Sequence, residues 1–404
     1  MMNSLIIEIN MYKKILNSLI LLPFLWLFSG FLLLKDGDKI MISMIIISIL
    51  TSLICYKSEI IKKNIKHNYF LPIMFITTAY LIFSFYYHGQ SSRETRAYIG
   101  CLLFVLCFPR ELLTEMLFRK LTLIGAILCF SFAFYYSTIL KLDRGSWPII
   151  AIPQAALSAV MLILSYTQII YSRKKPQYII AMIALIFSLS AIGLSDTRGV
   201  WLAICPALIF LFIKHYSSLK INWKVIITLL IITSSLGFLM KNEIGQRYEE
   251  TRTEMTNITN GNLDTSFGLR LLMWETTPNM IKGHYLIGSG DGYINRFDEL
   301  YKEGLITKTL YNFQPAHFHN QYIDKLIKNG IIGFALLLAL IIIPFQLANR
   351  QNNFYSNSVN GIIIVFAIAA LTDVPFYYGH PLMMYLILIG TFTPMDKYNE
   401  KAHC

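Results

Sequence analysis

The chain has 404 residues, 55% of them hydrophobic and 14% charged, with a formal net charge of +12. Its mean hydropathy is +0.54. That composition excludes an ordinary soluble globular domain and points to a polytopic membrane protein. The positive surplus is accounted for by short-loop lysines and arginines, so no nucleic-acid partner is implied.

Apolar runs long enough to span hydrocarbon recur from end to end, about 12 in all: 15–34, 40–56, 69–88, 97–109, 121–140, 148–171, 178–195, 199–213, 224–240, 330–347, 357–378 and 381–395. The first follows Lys13 and Lys14, has no small-residue cleavage site after it, and reads as a retained span. The fourth is short and ends at Pro109. With both ends cytoplasmic, the inner short segments carry 18 Lys or Arg and the outer ones 7, among them Arg93, Arg96, Arg144 and Arg198. This asymmetry puts the one long polar interval, 241–320, outside the cytoplasm. The expected layout is therefore all-α: residues 1–240 with spans 1–9, an external helical lid 241–320, and residues 321–404 with spans 10–12 and a cytoplasmic tail. A 9 + 3 arrangement lacks the matched halves of many transporters.

Five cysteines lie in apolar runs and Cys404 in the tail. The external interval has none, so a disulfide-stapled domain is excluded, and no Cys/His spacing resembles a zinc site. The reading is of an enzyme without metal or cofactor.

The interval is too long for a connector. It holds eight Lys or Arg against ten Asp or Glu, so an arginine that binds an anion there acts by placement. A charged helix is expected over 241–255, turns over 257–264, and a helix over about 266–282 capped by Asp264 or Thr265. Ser266, Arg270 and Trp274 then share one face. Gly288-Ser-Gly-Asp-Gly292 lacks the Walker lysine and reads as a turn before a helix near 293–304.

Pro315-Ala316-His317-Phe318-His319-Asn320 leads directly into the tenth apolar run. Read as helix, His319, Gly330 and Gly333 lie roughly on one face, with the glycines allowing close packing in lipid. His319 is the candidate general base; on the plainer alternative it is a hydrogen-bonded helix-start residue. His317 would point elsewhere on such a helix and is given a structural role. Arg198, in Ser195-Asp196-Thr197-Arg198-Gly199, is a candidate anion ligand, or else a partner of Asp196. Arg270 is a second, or else pairs with Glu275. Two guanidinium forks suit phosphate oxygens. Asp373 reads as an acid inside span eleven that pairs an arginine. Arg93, Arg96 and Arg144, on short outer loops, read as snorkelling side chains, with contact to anionic lipid headgroups as the alternative.

His319-Asn320, nine residues, Gly330, two residues, Gly333 fits the H-[NSQ]-x9-G-x2-[GTY] pattern of bacterial O-antigen ligases. Ser266-x3-Arg270-x3-Trp274 and Thr197-Arg198-Gly199 also resemble that family, and the likeness spans about residues 190–380. It implies a GT-C-like bundle in the bacterial inner membrane with its active site facing the periplasm. It further implies inverting, metal-independent transfer of O-antigen polysaccharide from undecaprenyl diphosphate to a sugar hydroxyl of lipid A–core. In this sequence His319 would be the base and Arg198 and Arg270 the diphosphate ligands, with Asn320, Trp274, Asp373, Gly330 and Gly333 in support. An O-antigen polymerase would use the same donor and similar parts. A polytopic lipid or saccharide transporter is the alternative from a different class.

Overall fold

The computed structural model describes residues 2–216, 241–261, 263 and 265–393, which form helices and turns. The expected ninth span, Asp264 as an alternative cap, and the tail with Cys404 lie outside the described residues.

Among the described residues seven helices are long and apolar enough to cross a membrane, and eight if a bent pair counts as one span. Over the described residues the protein is thus an all-helical, multi-pass membrane protein with seven or eight candidate spans, where the apolar runs suggest about twelve for the whole chain. The first apolar run is two helices, Met11–Ile20 and Leu22–Leu32, bent by 55°, with Pro23 in the first turn of the second piece. The last two runs are shorter than expected. Phe354–Ala369 has 16 residues and Gly379–Phe392 has 14. At 1.5 Å per residue these reach roughly 21–24 Å, short of a hydrocarbon core of about 30 Å. Every residue of Gly379–Phe392 is buried. A helix that is apolar on all sides packs inside a bundle as readily as in lipid, so hydropathy alone does not distinguish the two settings. Ala151–Ile170 is the central helix, with 94% of its apolar window buried, and it packs against Glu115–Phe134, Lys175–Ser195, Arg198–Tyr216 and Phe354–Ala369.

The polar interval builds a lid of five helices: Lys241–Thr259, Ser266–Glu275, Thr277–Met280, Tyr293–Lys302 and Lys308–Phe313. Thr265 caps the second, its side chain accepting from Gly268 N at 3.0 Å. The helix expected over 266–282 breaks at Thr276, just ahead of Pro278. The lid has its own apolar core of Met273, Met280, Tyr293, Phe297, Leu300 and Phe318, closed from below by Ile327.

The helix that follows, Gln321–Asn349, is interrupted at Gly330, which has φ 62° and ψ −167°. A β-carbon there would stand 2.3 Å from Leu286 O, and one on Gly288 would stand 2.4 Å from the Lys328 carbonyl carbon. Backbone therefore meets backbone at this point, and Ile331 N donates to Tyr285 O at 2.8 Å across it. The glycine stripe expected on one continuous helix face is not formed. Gly330 breaks the helix to let the lid turn seat, and only Gly333 continues as a close-packing position, against Asn329 and Tyr80. A buried polar network holds the break. Asn329 Nδ2 donates to Ser84 Oγ at 2.9 Å and to Gln90 Oε1 at 2.8 Å, Tyr80 OH donates to Asn329 O at 2.6 Å, and Lys325 pairs with Glu94.

Candidate functional site

Residues 315–320 are not helical. Asn320 is the N-cap of the helix, its side-chain oxygen accepting from Tyr322 N at 3.0 Å and Ile323 N at 3.2 Å, and His319 sits at φ 47°. Neighbouring groups hold the segment above the helix start. Tyr293 OH donates to Pro315 O at 2.9 Å, Lys328 Nζ to Ala316 O at 2.9 Å, Trp274 Nε1 to Phe318 O at 2.9 Å, and Phe318 N to Asp324 Oδ1 at 3.3 Å. Phe318 is fully buried in the lid core, stacked on Phe297.

With Phe318 turned inward, the flanking histidines come together, their ring centroids 4.4 Å apart. This corrects the expectation that His317 points away from His319, which assumed helical spacing. Asp373 joins them: one ligand atom from each of His317, His319 and Asp373 lies within 4.8 Å of the others. The sequence offered no such cluster in the outer segments, because Asp373 is distant along the chain and was placed inside a span. In fact the eleventh helix ends at Ala369, and Asp373 lies in the turn before Gly379. That turn is fastened to the helix start through Gln321, whose N–H donates to Ala370 O at 2.8 Å and whose Oε1 accepts from Phe376 N at 2.9 Å.

Burial holds the His319 imidazole down, to a pKa of about 3, assisted by His317 and Arg270 beside it. Burial also lowers His317, against the pull of Asp373. The Asp373 carboxyl moves up, again through burial, opposed by the Val374 N–H that it accepts. Both rings are therefore neutral near pH 7, and the Nδ1 atoms of both are buried with no hydrogen-bond partner.

Beside this cluster opens a cavity of about 840 Å³. Arg144, Arg198, Arg270, Asp373 and Tyr378 line it together with Ile152, Pro153, Leu202 and Pro375. Arg198 and Arg270, 72 positions apart, thus reach one space. Its two alternative partners from sequence do not hold. Arg198 opens the helix Arg198–Tyr216 and bonds to the lid, NH1 to Thr251 Oγ1 at 2.6 Å, with Glu250 at 3.3 Å and Glu254 at 3.9 Å. Asp196 instead takes Arg144 at 3.4 Å. Among the described residues Arg270 shows no ion pair with Glu275. Arg144, read from sequence as a snorkelling side chain on a short outer loop, lines the cavity as well. Tyr378, also in the lining, has its hydroxyl 3.3 Å from His317 Nε2. Nothing along the chain marks Tyr378, and Arg144 stands out only as an arginine on a short outer loop. The His-Phe-His alternation was a usable signal for His317, since alternate residues of a non-helical segment share a side.

The fold and site thus define a multi-pass membrane protein that keeps an arginine-lined cavity and an imidazole–carboxylate cluster at one membrane face, under a small helical lid. Residues 183–338 match the family model described as O-antigen ligase. An uncharacterized protein of Haemophilus influenzae is 30% identical over 213 residues, 50% of this chain and 52% of its own. An O-antigen ligase of Escherichia coli is 26% identical over 223 residues, 54% of this chain and 53% of its own. The O-antigen ligase family is thus what this chain resembles over residues 183–338, well under half of its 404 residues. It spans about half the length of the curated relatives it matches.

Proposed function

We propose that this protein is a glycosyltransferase that moves O-antigen polysaccharide from undecaprenyl diphosphate to a sugar hydroxyl of lipid A–core, at the periplasmic face of the inner membrane. The observation that carries the reading is the joint placement of Arg198 and Arg270 on one cavity whose wall, at Asp373, adjoins His319. The cavity volume is within the range of small-molecule sites, about 300–1,000 Å³, enough for a diphosphate with its first sugar. Its apolar lower lining, Ile152, Pro153 and Leu202, suits the start of a prenyl chain.

In this reading the acceptor hydroxyl gives its proton to neutral His319 as its oxygen bonds to the anomeric carbon. The bond from that carbon to the diphosphate oxygen breaks on the opposite face, which inverts the configuration. Arg198 and Arg270 stabilise the charge that accumulates on the departing undecaprenyl diphosphate, the work a metal ion does elsewhere. Trp274, Asn320 and Gln321 are positioning residues that fix the 317–320 segment over the helix start.

The test uses purified protein, lipid-linked polymer and lipid A–core in excess EDTA. Wild type transfers at its full rate. His319→Ala abolishes transfer at normal membrane levels. Arg198→Lys and Arg270→Lys each lose most of it, because a lysine point charge does not replace a bidentate fork. Full transfer by His319→Ala, or a requirement for added magnesium, removes this mechanism.

A further inference from the structure

The imidazole pair has a geometry that general-base chemistry does not need. A single histidine suffices to accept a proton, yet two nitrogens and a carboxylate converge within 4.8 Å. Two of the three groups are also held from behind by a second bond. His317 is fixed through Nε2 by the Tyr378 hydroxyl at 3.3 Å, which leaves its unpartnered Nδ1 facing inward. Asp373 accepts from Val374 N at 2.7 Å through Oδ1, which leaves Oδ2. Main-chain and hydroxyl bonds that orient ligands in this way are typical of built metal sites.

We propose that His317, His319 and Asp373 form a site for a zinc-like divalent cation, and that filling it stops transfer. Two neutral imidazoles and one carboxylate suit a borderline ion such as zinc and not magnesium, which prefers oxygen ligands and retains its waters. With bonds of about 2.0–2.2 Å, tetrahedral ligand atoms lie roughly 3.4 Å apart, so the three groups need to close by about an ångström, within side-chain rotation. Charge does not forbid the site. Lys328, the nearer lysine, is paired with Asp324 at 3.0 Å, and Asp373 supplies negative charge opposite Arg270. The inhibitory half rests on the reading of His319 as the base: a lone pair given to the metal is not available to the acceptor's proton.

The experiment titrates zinc chloride into metal-stripped full-length protein in nanodiscs, following binding by calorimetry and transfer in parallel. His317→Gln removes one ligand while leaving His319, Arg198 and Arg270 in place, and it retains most of its metal-free transfer. Wild type is expected to bind one zinc per chain, and His317→Gln to bind it at least about tenfold more weakly. Inhibition should shift by the same factor. His317→Asn serves as the second variant, and calorimetry decides for either one whatever its transfer rate. Failure of wild type to bind zinc, or equal affinity in wild type and both variants, overturns the site. Binding that shifts as expected while transfer ignores zinc leaves the site standing and overturns His319 as the base.

Discussion

His319 works against its own surroundings. In the donor-free site burial, His317 and Arg270 all disfavour the protonated ring and hold its pKa at about 3. A base that weak accepts a proton reluctantly, although it is neutral and available at any working pH. The donor changes the balance, since a diphosphate bound between Arg198 and Arg270 offsets the arginine charge and favours the imidazolium. The acid limb of kcat, which reports the donor complex, should therefore lie at higher pH than the acid limb of kcat/KM, which reports the free enzyme. Profiles carried down to about pH 2 on purified protein check this; coincident limbs would mean the diphosphate does not act on His319. Stability carries its own sign. Above the ordinary value of 6.5 the ring is neutral folded or unfolded, and as pH falls from 6.5 toward 3 only the unfolded chain takes up the proton, so stability declines across that window. Of these residues, His319, Arg198 and Arg270 stand out in the sequence by place, the histidine before the tenth apolar run and the arginines in an outer turn and on a lid-helix face. His317 and the true setting of Asp373 do not, because both depend on where a helix begins and ends. The Asn320 cap settles the first and the stop at Ala369 the second.

Two elements govern access to the cavity, and each gives an expected outcome. The lid helix Lys241–Thr259 sets Glu250 and Glu254 on Arg198, a guanidinium the donor also needs. Both partners are substantially exposed, and such pairs contribute only about 0–1 kcal/mol. A diphosphate taking bidentate bonds can therefore displace them. Glu250→Gln with Glu254→Gln should lower the KM for the lipid-linked donor by up to about fivefold with kcat little changed; a raised KM would show that the acids help the donor bind. The second element is the break in Gln321–Asn349. Gly330→Ala puts a β-carbon against Leu286 O in a conformation that is almost exclusive to glycine. The cost should be about 1–3 kcal/mol, read as a lower melting temperature in detergent. Transfer should fall further than the melt alone explains, because the same break seats the 285–292 turn beneath the lid. Gly333→Ala, without left-handed strain, still brings a β-carbon to 2.2 Å from Asn329 Cβ and should lower the melt as well. Hydropathy revealed that a helix runs through 330–347 but not that it breaks. A glycine in an apolar run reads as packing, and the Leu286 backbone that demands φ 62° lies in another part of the chain.

At the scale of the whole molecule, the proposed ligase and a polymerase would part at the acceptor. Both draw on a lipid diphosphate, so the arginine cavity serves either and donor dependence decides nothing. The bundle was legible as a series of apolar runs, because the bilayer sets a length and a polarity that sequence displays directly. The lid was legible as polar and helical. What sequence did not display was that Phe354–Ala369 and Gly379–Phe392 are interior helices, since burial in protein and burial in lipid ask for the same side chains. These two helices flank the turn that carries Asp373, so packing rather than lipid fixes the carboxylate beside His319. The acceptor must approach this rigid point beneath the lid, and the two enzymes differ only in what approaches. A strain deleted for a ligase accumulates full-length polymer on its carrier and displays bare core on lipid A. A strain deleted for a polymerase displays core carrying a single repeat unit. The family match over residues 183–338 and the His319-Asn320…Gly330…Gly333 spacing favour the first outcome. Gel banding of lipopolysaccharide from the deletion strain checks it, and a one-unit band restored to a ladder by this gene would make the polymerase the correct reading.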